Sequence, residues 1–282
     1  MAEPTIDPVL LAPRPPCGPD DACEIAARFG LTADDARDLG SERDRTFALL
    51  RDGESIGVLK VSNPAESTDV LDMEAAAVAR IAAVDPFLPV ARPWLAPGTD
   101  IHRLEWTGDG QTHWARLYDV LPGHARHDPT QVGDDALIDW GTITARLARA
   151  LRGFAHPSSI RRLPWDVQHA NQCRAMLPTI REPDARRLVE VVLDRFDDAV
   201  APAWPLLRSQ VLHSDLTIDN ALVDDDGRIT GIVDFGDMSF TALMADLASV
   251  VDSLACERSG DEMFRVARLV LDGYQRVTPL EQ

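Results

Sequence analysis

His213-Ser214-Asp215-Leu216-Thr217-Ile218-Asp219-Asn220 and, a short way on, Asp234-Phe235-Gly236-Asp237 are the stretches whose reading decides the fold. Between them run Ala221-Leu222-Val223, an acidic glycine turn at Asp225-Asp226-Gly227, and Arg228-Ile229-Thr230-Gly231-Ile232-Val233. Two short apolar runs joined by a tight turn predict a β-hairpin with polar residues at both ends. Folding back in this way brings Asp215, Asn220 and Asp234 towards one point. Two carboxylates and an amide oxygen form a hard, oxygen-only set, which suits Mg²⁺ bound together with the phosphates of a substrate. A carboxylate beside such an ion can accept the proton of an attacking hydroxyl, the part that falls to Asp215.

The same residues spell H-x-D-x-x-x-x-N followed by D-F-G, the layout of kinase-type phosphoryl transfer. The bland alternative is a solvated Asp-rich turn, of the kind seen at Asp224, Asp225 and Asp226. His213 to Asn220 and Ile232-Val233-Asp234-Phe235-Gly236-Asp237 resemble the motifs of the aminoglycoside phosphotransferase and choline kinase superfamily. That resemblance implies a protein-kinase-like fold and phosphorylation of a small molecule. A protein kinase would carry Arg at position 214 and an A-P-E element after D-F-G; Ser214 stands there and no A-P-E follows. The resemblance also implies that Asp246 in Met244-Ala245-Asp246-Leu247-Ala248 braces the catalytic loop, and His213 is expected to shape that loop and not to act as an acid.

A chain of 282 residues can bury one substantial core, or two lobes around a cleft. Its 45% hydrophobic and 26% charged residues are those of a soluble globular protein. A formal charge of −18 argues against nucleic-acid and anionic-membrane partners and is compatible with a cationic substrate. Cys17, Cys23, Cys173 and Cys256 form no C-x-x-C pair, so neither a zinc site nor a disulfide framework is expected, and a cytoplasmic home follows. The start, Met1-Ala2-Glu3-Pro4, lacks the basic and apolar regions of a signal peptide, and no stretch approaches the length of a membrane span.

Of the 28 Lys and Arg residues only Lys60 is lysine. Within an arginine-rich composition, one retained lysine marks a position that needs a compact ammonium in place of a planar fork. A phosphate-binding site is such a position.

Along the chain, residues 1–20 hold six prolines and predict an extended arm. A short helix capped by Asp20-Asp21 leads through Phe29 to Gly30. Thr46–Arg51 and Ser55–Val61 predict a hairpin around Asp52-Gly53. The polar loop Gly40-Ser41-Glu42-Arg43-Asp44-Arg45 precedes it, where a kinase places the loop over the nucleotide phosphates. It has one glycine, and Ser41 with nearby amides is its phosphate-binding candidate. Ser-Glu-Arg-Asp-Arg-x-Phe, with Leu-Lys-x-x-Asn-Pro-Ala-Glu at 59–66, is similar to a narrower branch that includes hydroxylysine kinase. Glu66–Val84 predicts a helix with Leu71, Ala75, Val78 and Ala82 facing the sheet. Glu74 on nearly the same face is the expected partner of Lys60, with Asp69 and Asp72 as competitors.

Ile101–Trp106 and Thr112–Val120 predict two more strands, ending at a lobe boundary, Leu121-Pro122-Gly123. By the resemblance, Tyr118–Leu121 is the hinge that meets the nucleotide base, with Tyr118 and Val120 as candidates. Amphipathic helices are expected over Ala136–Phe154, and over Asp184–Val200 with Leu188, Val191, Val192 and Phe196 on its buried stripe. Trp165-Asp166-Val167-Gln168-His169-Ala170 resembles a W-D-x-x-H-A segment of the narrower branch. Either Asp166 attracts an acceptor amine or, the commoner arrangement, Trp165 anchors the core and Asp166 caps a turn. Asp237 is the second acceptor-side candidate.

These readings predict an α+β, bilobal protein-kinase-like fold. Residues 1–20 form the arm, 21–121 a small lobe with a five-stranded antiparallel sheet and one long helix, and 122–282 a larger helical lobe. The expected reaction is Mg²⁺-dependent transfer of the γ-phosphoryl group of ATP or GTP to a hydroxyl of a small polar molecule. In it Asp215 acts as base, Asn220 and Asp234 hold metal, and Lys60 with Glu74 holds phosphates. The acceptor is an amino alcohol or hydroxy amino acid such as hydroxylysine; the alternative is an aminoglycoside or nucleoside hydroxyl in antibiotic or natural-product chemistry. A non-catalytic nucleotide-binding scaffold is the third reading. The family usually continues through further helices after the segment matching Arg265–Tyr274, which leaves a homodimer open.

Overall fold

The computed structural model describes residues 8–280, except 126, 127 and 164. Its first elements are one helical turn, α1 (Pro8–Leu11), and helix α2 (Pro19–Arg28). Pro19 occupies the first helical position, where its missing N–H costs nothing, and Asp20 and Asp21 complement the helix dipole. Over its described part, the arm expected at 1–20 is packed down and not free-standing. Cys17 is buried against α2, Arg45 Nε donates to Pro15 O, and Arg14 Nε donates to Asp44 O. Residues 1–7 of that arm lie outside the described residues.

Five strands follow: β1 (Asp35–Asp38), β2 (Arg45–Arg51), β3 (Glu54–Val61), β4 (Leu104–Thr107) and β5 (Thr112–Tyr118). All pairings are antiparallel, in the order β1-β2-β3-β5-β4. At the β2–β3 turn Asp52 and Gly53 both take positive φ (52° and 82°), the primed hairpin geometry that Asp-Gly favours. Phe47, Leu49, Leu59, Val61, Ala115 and Leu117 bury one face against Ile25, Ala26 and Phe29 of α2. Alternation therefore sends Thr46, Lys60 and Arg116, which lie side by side in the register, to the other face.

Between β3 and β4 runs helix α3 (Thr68–Val84), whose N-cap Ser67 Oγ accepts from Asp69 N. Its buried stripe is rotated from the expected one. Leu71 and Val78 are buried as predicted, but Met73, Ala77 and Ile81 take the inner positions expected for Ala75 and Ala82, which are half-buried. The reason is that α3 shares a core with the second lobe: Met73, Ala77, Val78 and Ile81 join Trp140 and Leu147 there. The predicted strand Ile101–Trp106 pairs only from Leu104, running on to Thr107, and Ile101 is exposed.

The second lobe is built from β6 (His124–Ala125), α4 (Asp134–Ala150), α5 (Pro183–Arg195), β7 (Ser209–Leu212), β8 (Ala221–Val223), β9 (Ile229–Ile232), β10 (Ser239–Ala242), α6 (Met244–Ala255) and α7 (Asp261–Gln275). The predicted hairpin is β8–β9, extended by β6, while β10 pairs with β7. Helices α4 and α7 touch backbone to backbone. A Cβ on Gly141 would overlap Val270 O, and one on Gly273 would overlap Ile138 O. Helix α5 departs from expectation: Leu193 and Phe196 are buried, but Leu188, Val191 and Val192 are exposed. It lies at the periphery, held by Arg174, whose guanidinium pairs with Asp194 and Asp197, so only one edge of its apolar stripe meets the protein. No helix among the described residues is long and apolar enough to cross a membrane.

Candidate active site

The loop after β7 is held from both sides. His213 is fully buried; its Nε2 donates to Val233 O (3.1 Å), and its Nδ1 accepts from Asp215 N (3.3 Å). Its ring lies 4.7 Å from that of Phe235. Nε2 and the ring thus tie the first motif to the second, while Nδ1 fixes the turn within the first. Ser214 takes a positive φ of 68°, a conformation that costs a side-chain-bearing residue roughly 1–2 kcal/mol. Asp246, near the start of α6 and 1% exposed, offsets this by accepting from Ser214 N at 2.7 Å. Burial pushes the Asp246 carboxyl above its ordinary range.

Asp215 and Asn220 are in contact. Asn220 Nδ2 donates to Asp215 Oδ2 (2.7 Å) and to Asp215 O (2.9 Å), which leaves the Asn220 amide oxygen as an acceptor for another group. Burial, and then the neighbouring Asp237 charge, push the Asp215 carboxyl up to about 6. Asp234 stands in the left-handed region (φ 58°), the geometry that turns the chain out of β9. Its Oδ1 accepts from Gly236 N (3.3 Å) and from Lys60 Nζ (2.9 Å). Burial alone would raise this carboxyl, but the Lys60 charge and hydrogen bond outweigh it and hold Asp234 well below the usual range. Val233 N donates to Asn220 O, so the residue beside Asp234 is tied to Asn220. Anionic and amide oxygens, with no sulfur or free imidazole among them, fit a hard divalent cation.

Lys60 meets two carboxylates, Asp234 at 2.9 Å and Asp44 at 3.4 Å. The ion pair expected with Glu74 does not form. Glu74 Oε2 instead accepts from Arg116 Nη1 at 2.5 Å, with both side chains buried. The sheet register explains the exchange: Arg116 lies directly beside Lys60 on the α3-facing side and takes the helix carboxylate. Of the competitors, Asp72 pairs with Arg103, and Asp69 is exposed.

Lys60, Glu74, Arg116 and Asp234 form the polar end of a cleft between the lobes, and Val58, Ala91, Leu121, Leu222 and Val233 line its apolar part. Tyr118 also lines it, with its phenol pushed up to about 12 by burial. Val120 departs from expectation: it is 42% exposed and outside the lining. Ser41 is likewise outside, and its Oγ accepts from Asp44 N within its own loop. On the far side of the catalytic loop lies a basin of about 830 Å³ lined by Asp166, Ser214, Thr241 and Asp252, with Trp165 at its edge. Asp166 is buried and caps its turn through Gln168 N (3.1 Å), whereas Trp165 is 41% exposed and so is no core anchor. Asp237 is buried and pairs with Arg43 (3.1 Å), whose guanidinium lies 5.5 Å from the Trp165 ring centre.

Arg43, Asp44 and Arg116 are the polar residues that motif spacing did not single out. The signal for the first two was the Ser-Glu-Arg-Asp-Arg run itself; Arg116 carries no local signal, because its role depends on strand register.

A family model described as the phosphotransferase enzyme family matches residues 35–280. The hydroxylysine kinase of Bos taurus is 26% identical over 280 residues, covering 91% of this chain and 73% of that protein. The hydroxylysine kinase of Danio rerio is 27% identical over 265 residues, covering 90% and 74%. Among solved structures, an amicoumacin kinase in complex with AMP-PNP, Ca²⁺ and Ami is similar with a TM-score of 0.69 at 18% identity, over 92% of this chain and 77% of that one. A microcompartment-associated aminopropanol kinase gives 0.68 at 16% identity, over 92% and 81%. These structural likenesses establish the kinase-like fold.

Proposed function

Because the chain belongs to the phosphotransferase enzyme family, we propose that it moves the γ-phosphoryl group of ATP or GTP to a hydroxyl of a small amino alcohol or hydroxy amino acid. The single observation that carries this reading is the convergence across the cleft. Lys60 from the sheet stands 2.9 Å from Asp234, and the Asp215–Asn220 pair belongs to the loop tied to Asp234's own neighbour. Asp215 accepts the hydroxyl proton, its raised carboxyl matched to that task. Lys60 exchanges its bond to Asp234 for the phosphates. Asn220 and Asp234 would hold Mg²⁺, which when bound supplies charge neutralisation at the triphosphate. Positioning and charge stabilisation provide most of the acceleration, because the transition state is loose. His213 shapes the loop and takes no part as an acid, a reading supported by its two hydrogen bonds. The apolar part of the cleft takes the base, near Tyr118.

The acceptor class is supported by the names of the two relatives, by the −18 charge, and by the buried carboxylates Asp166 and Asp237 on the acceptor side. The test is phosphoryl transfer from ATP and GTP to a panel of hydroxylysine, amino alcohols, aminoglycosides and nucleosides. Hydroxylysine or an amino alcohol is expected to turn over best. Asp215→Asn and Asp234→Ala are each expected to abolish transfer, while Asp215→Asn still binds Mg-nucleotide. Wild-type turnover by both variants would refute the assignment.

A further inference from the structure

The geometry points to Asp44, and not the helix carboxylate Glu74, as the positioning residue that holds Lys60 in place when nucleotide is bound. This rests on the phosphotransfer reading above. In that reading Asp234 must release Lys60 to serve the metal, so Lys60 needs a partner that stays. Two carboxylates lie within ion-pair range of Lys60 among the described residues, Asp234 and Asp44. Glu74 is committed elsewhere, to a buried guanidinium. Once Asp234 turns to the metal, Asp44 is the one left.

Asp44 is built to stay. It is 7% exposed, its Oδ1 accepts from Asn63 N at 3.0 Å, and its own N–H donates to Ser41 Oγ. Its carbonyl accepts from Arg14 of the packed arm. Oδ1 is thereby fixed on the end of β3, and Oδ2 is directed at the ammonium. The residue before it, Arg43, reaches the opposite lobe and pairs with Asp237. The loop at 41–45 therefore ties Lys60 and the acceptor side with adjacent side chains. In the usual kinase arrangement a helix would hold the lysine; here a strand-entry loop does.

Lys60 is the only lysine in the chain, which gives the test an unambiguous reporter. In Asp44→Asn the Asn63 N–H keeps an acceptor while the charge facing Lys60 is lost. Loss of the opposite charge facing the Lys60 ammonium predicts a fall of about 10- to 100-fold in kcat/KM for Mg-nucleotide. The KM for the acceptor is expected to hold, and Asp44→Glu to restore most of the loss. Glu74→Gln should lower the melting temperature and cost less of kcat/KM than Asp44→Asn does. Acetylation of Lys60 by an N-hydroxysuccinimide ester, followed by mass spectrometry on the wild-type protein and both variants, reads the same contact without turnover. Faster labelling is expected in Asp44→Asn and not in Glu74→Gln. If Glu74→Gln cost more kcat/KM than Asp44→Asn, or if labelling rose only in Glu74→Gln, the assignment would be overturned. Should Asp44→Asn not fold, Asp44→Glu against Glu74→Asp decides by the same labelling. Failure of the wild-type protein to transfer phosphate would sink the functional reading, whereas the labelling result would still decide whether Asp44 holds Lys60.

Discussion

Removing the Arg116 guanidinium should unsettle the joint between the lobes. Glu74 belongs to α3, which also packs into the second lobe's core, and Arg116 to the sheet, so their 2.5 Å contact couples the sheet to the helix that reaches the second lobe. Their side chains are 4% and 8% exposed. The guanidinium also donates to Ser62 Oγ and lies 5.8 Å from the Tyr118 ring centre, while its Nε is buried with no hydrogen-bond partner among the described residues. Arg116→Met strands the Glu74 carboxylate in a site with little water, a loss of about 3–5 kcal/mol. For a chain of this size each kcal/mol moves the melting temperature by about 2–4 °C, so a drop of about 6–20 °C is expected. Glu74→Leu with Arg116→Met removes both charges and should recover most of that loss, since a buried pair replaced by apolar groups is often neutral. Scanning calorimetry on the two single variants, the double variant and the wild type closes the cycle. A single variant within about 1 kcal/mol of wild type, or a double variant as unstable as the worse single, would refute the reasoning.

Three further outcomes follow from the structure. In the proposed reaction Asp215 must be ionised to take a proton, and burial pushes its carboxyl up to about 6, so activity is expected to fall as pH drops through that value. Roughly a tenth should remain at about pH 5. Asp237→Asn removes the carboxylate that helps raise it, so the acid limb of the pH–rate profile should move to lower pH; a limb that stays put would separate Asp237 from Asp215. Gly141→Ala would push a methyl group into the Val270 carbonyl where α4 meets α7. Backbone cannot give way as a side chain can, so a loss of about 3 kcal/mol or more is expected, and a melt like wild type would contradict the contact.

The two motif loops at 213–220 and 234–237 were legible because their residues are close in sequence. A hairpin of fixed length has few ways to fold, and so the approach of the Asp215–Asn220 loop to the residues around Asp234 was readable from spacing alone. The small-lobe sheet was legible for the same reason, through Asp52-Gly53 and alternating apolar residues. What spacing cannot carry is which charges meet across separate elements. Lys60 stood out by its chemistry, yet its partner was misread as Glu74 because a helix face fixes direction and not distance. Strand register set Arg116 beside Lys60, and Arg116 took the glutamate. In the same way α3 had the right apolar residues for a sheet, but the second lobe's core claimed Met73, Ala77 and Ile81. The exposed stripe of α5 has the same origin, since amphipathic period says that a face exists and not what covers it. The local chain thus determined which polar groups gather at the cleft, whereas tertiary packing decided how they pair, because ion pairs follow distances that only the assembled lobes define.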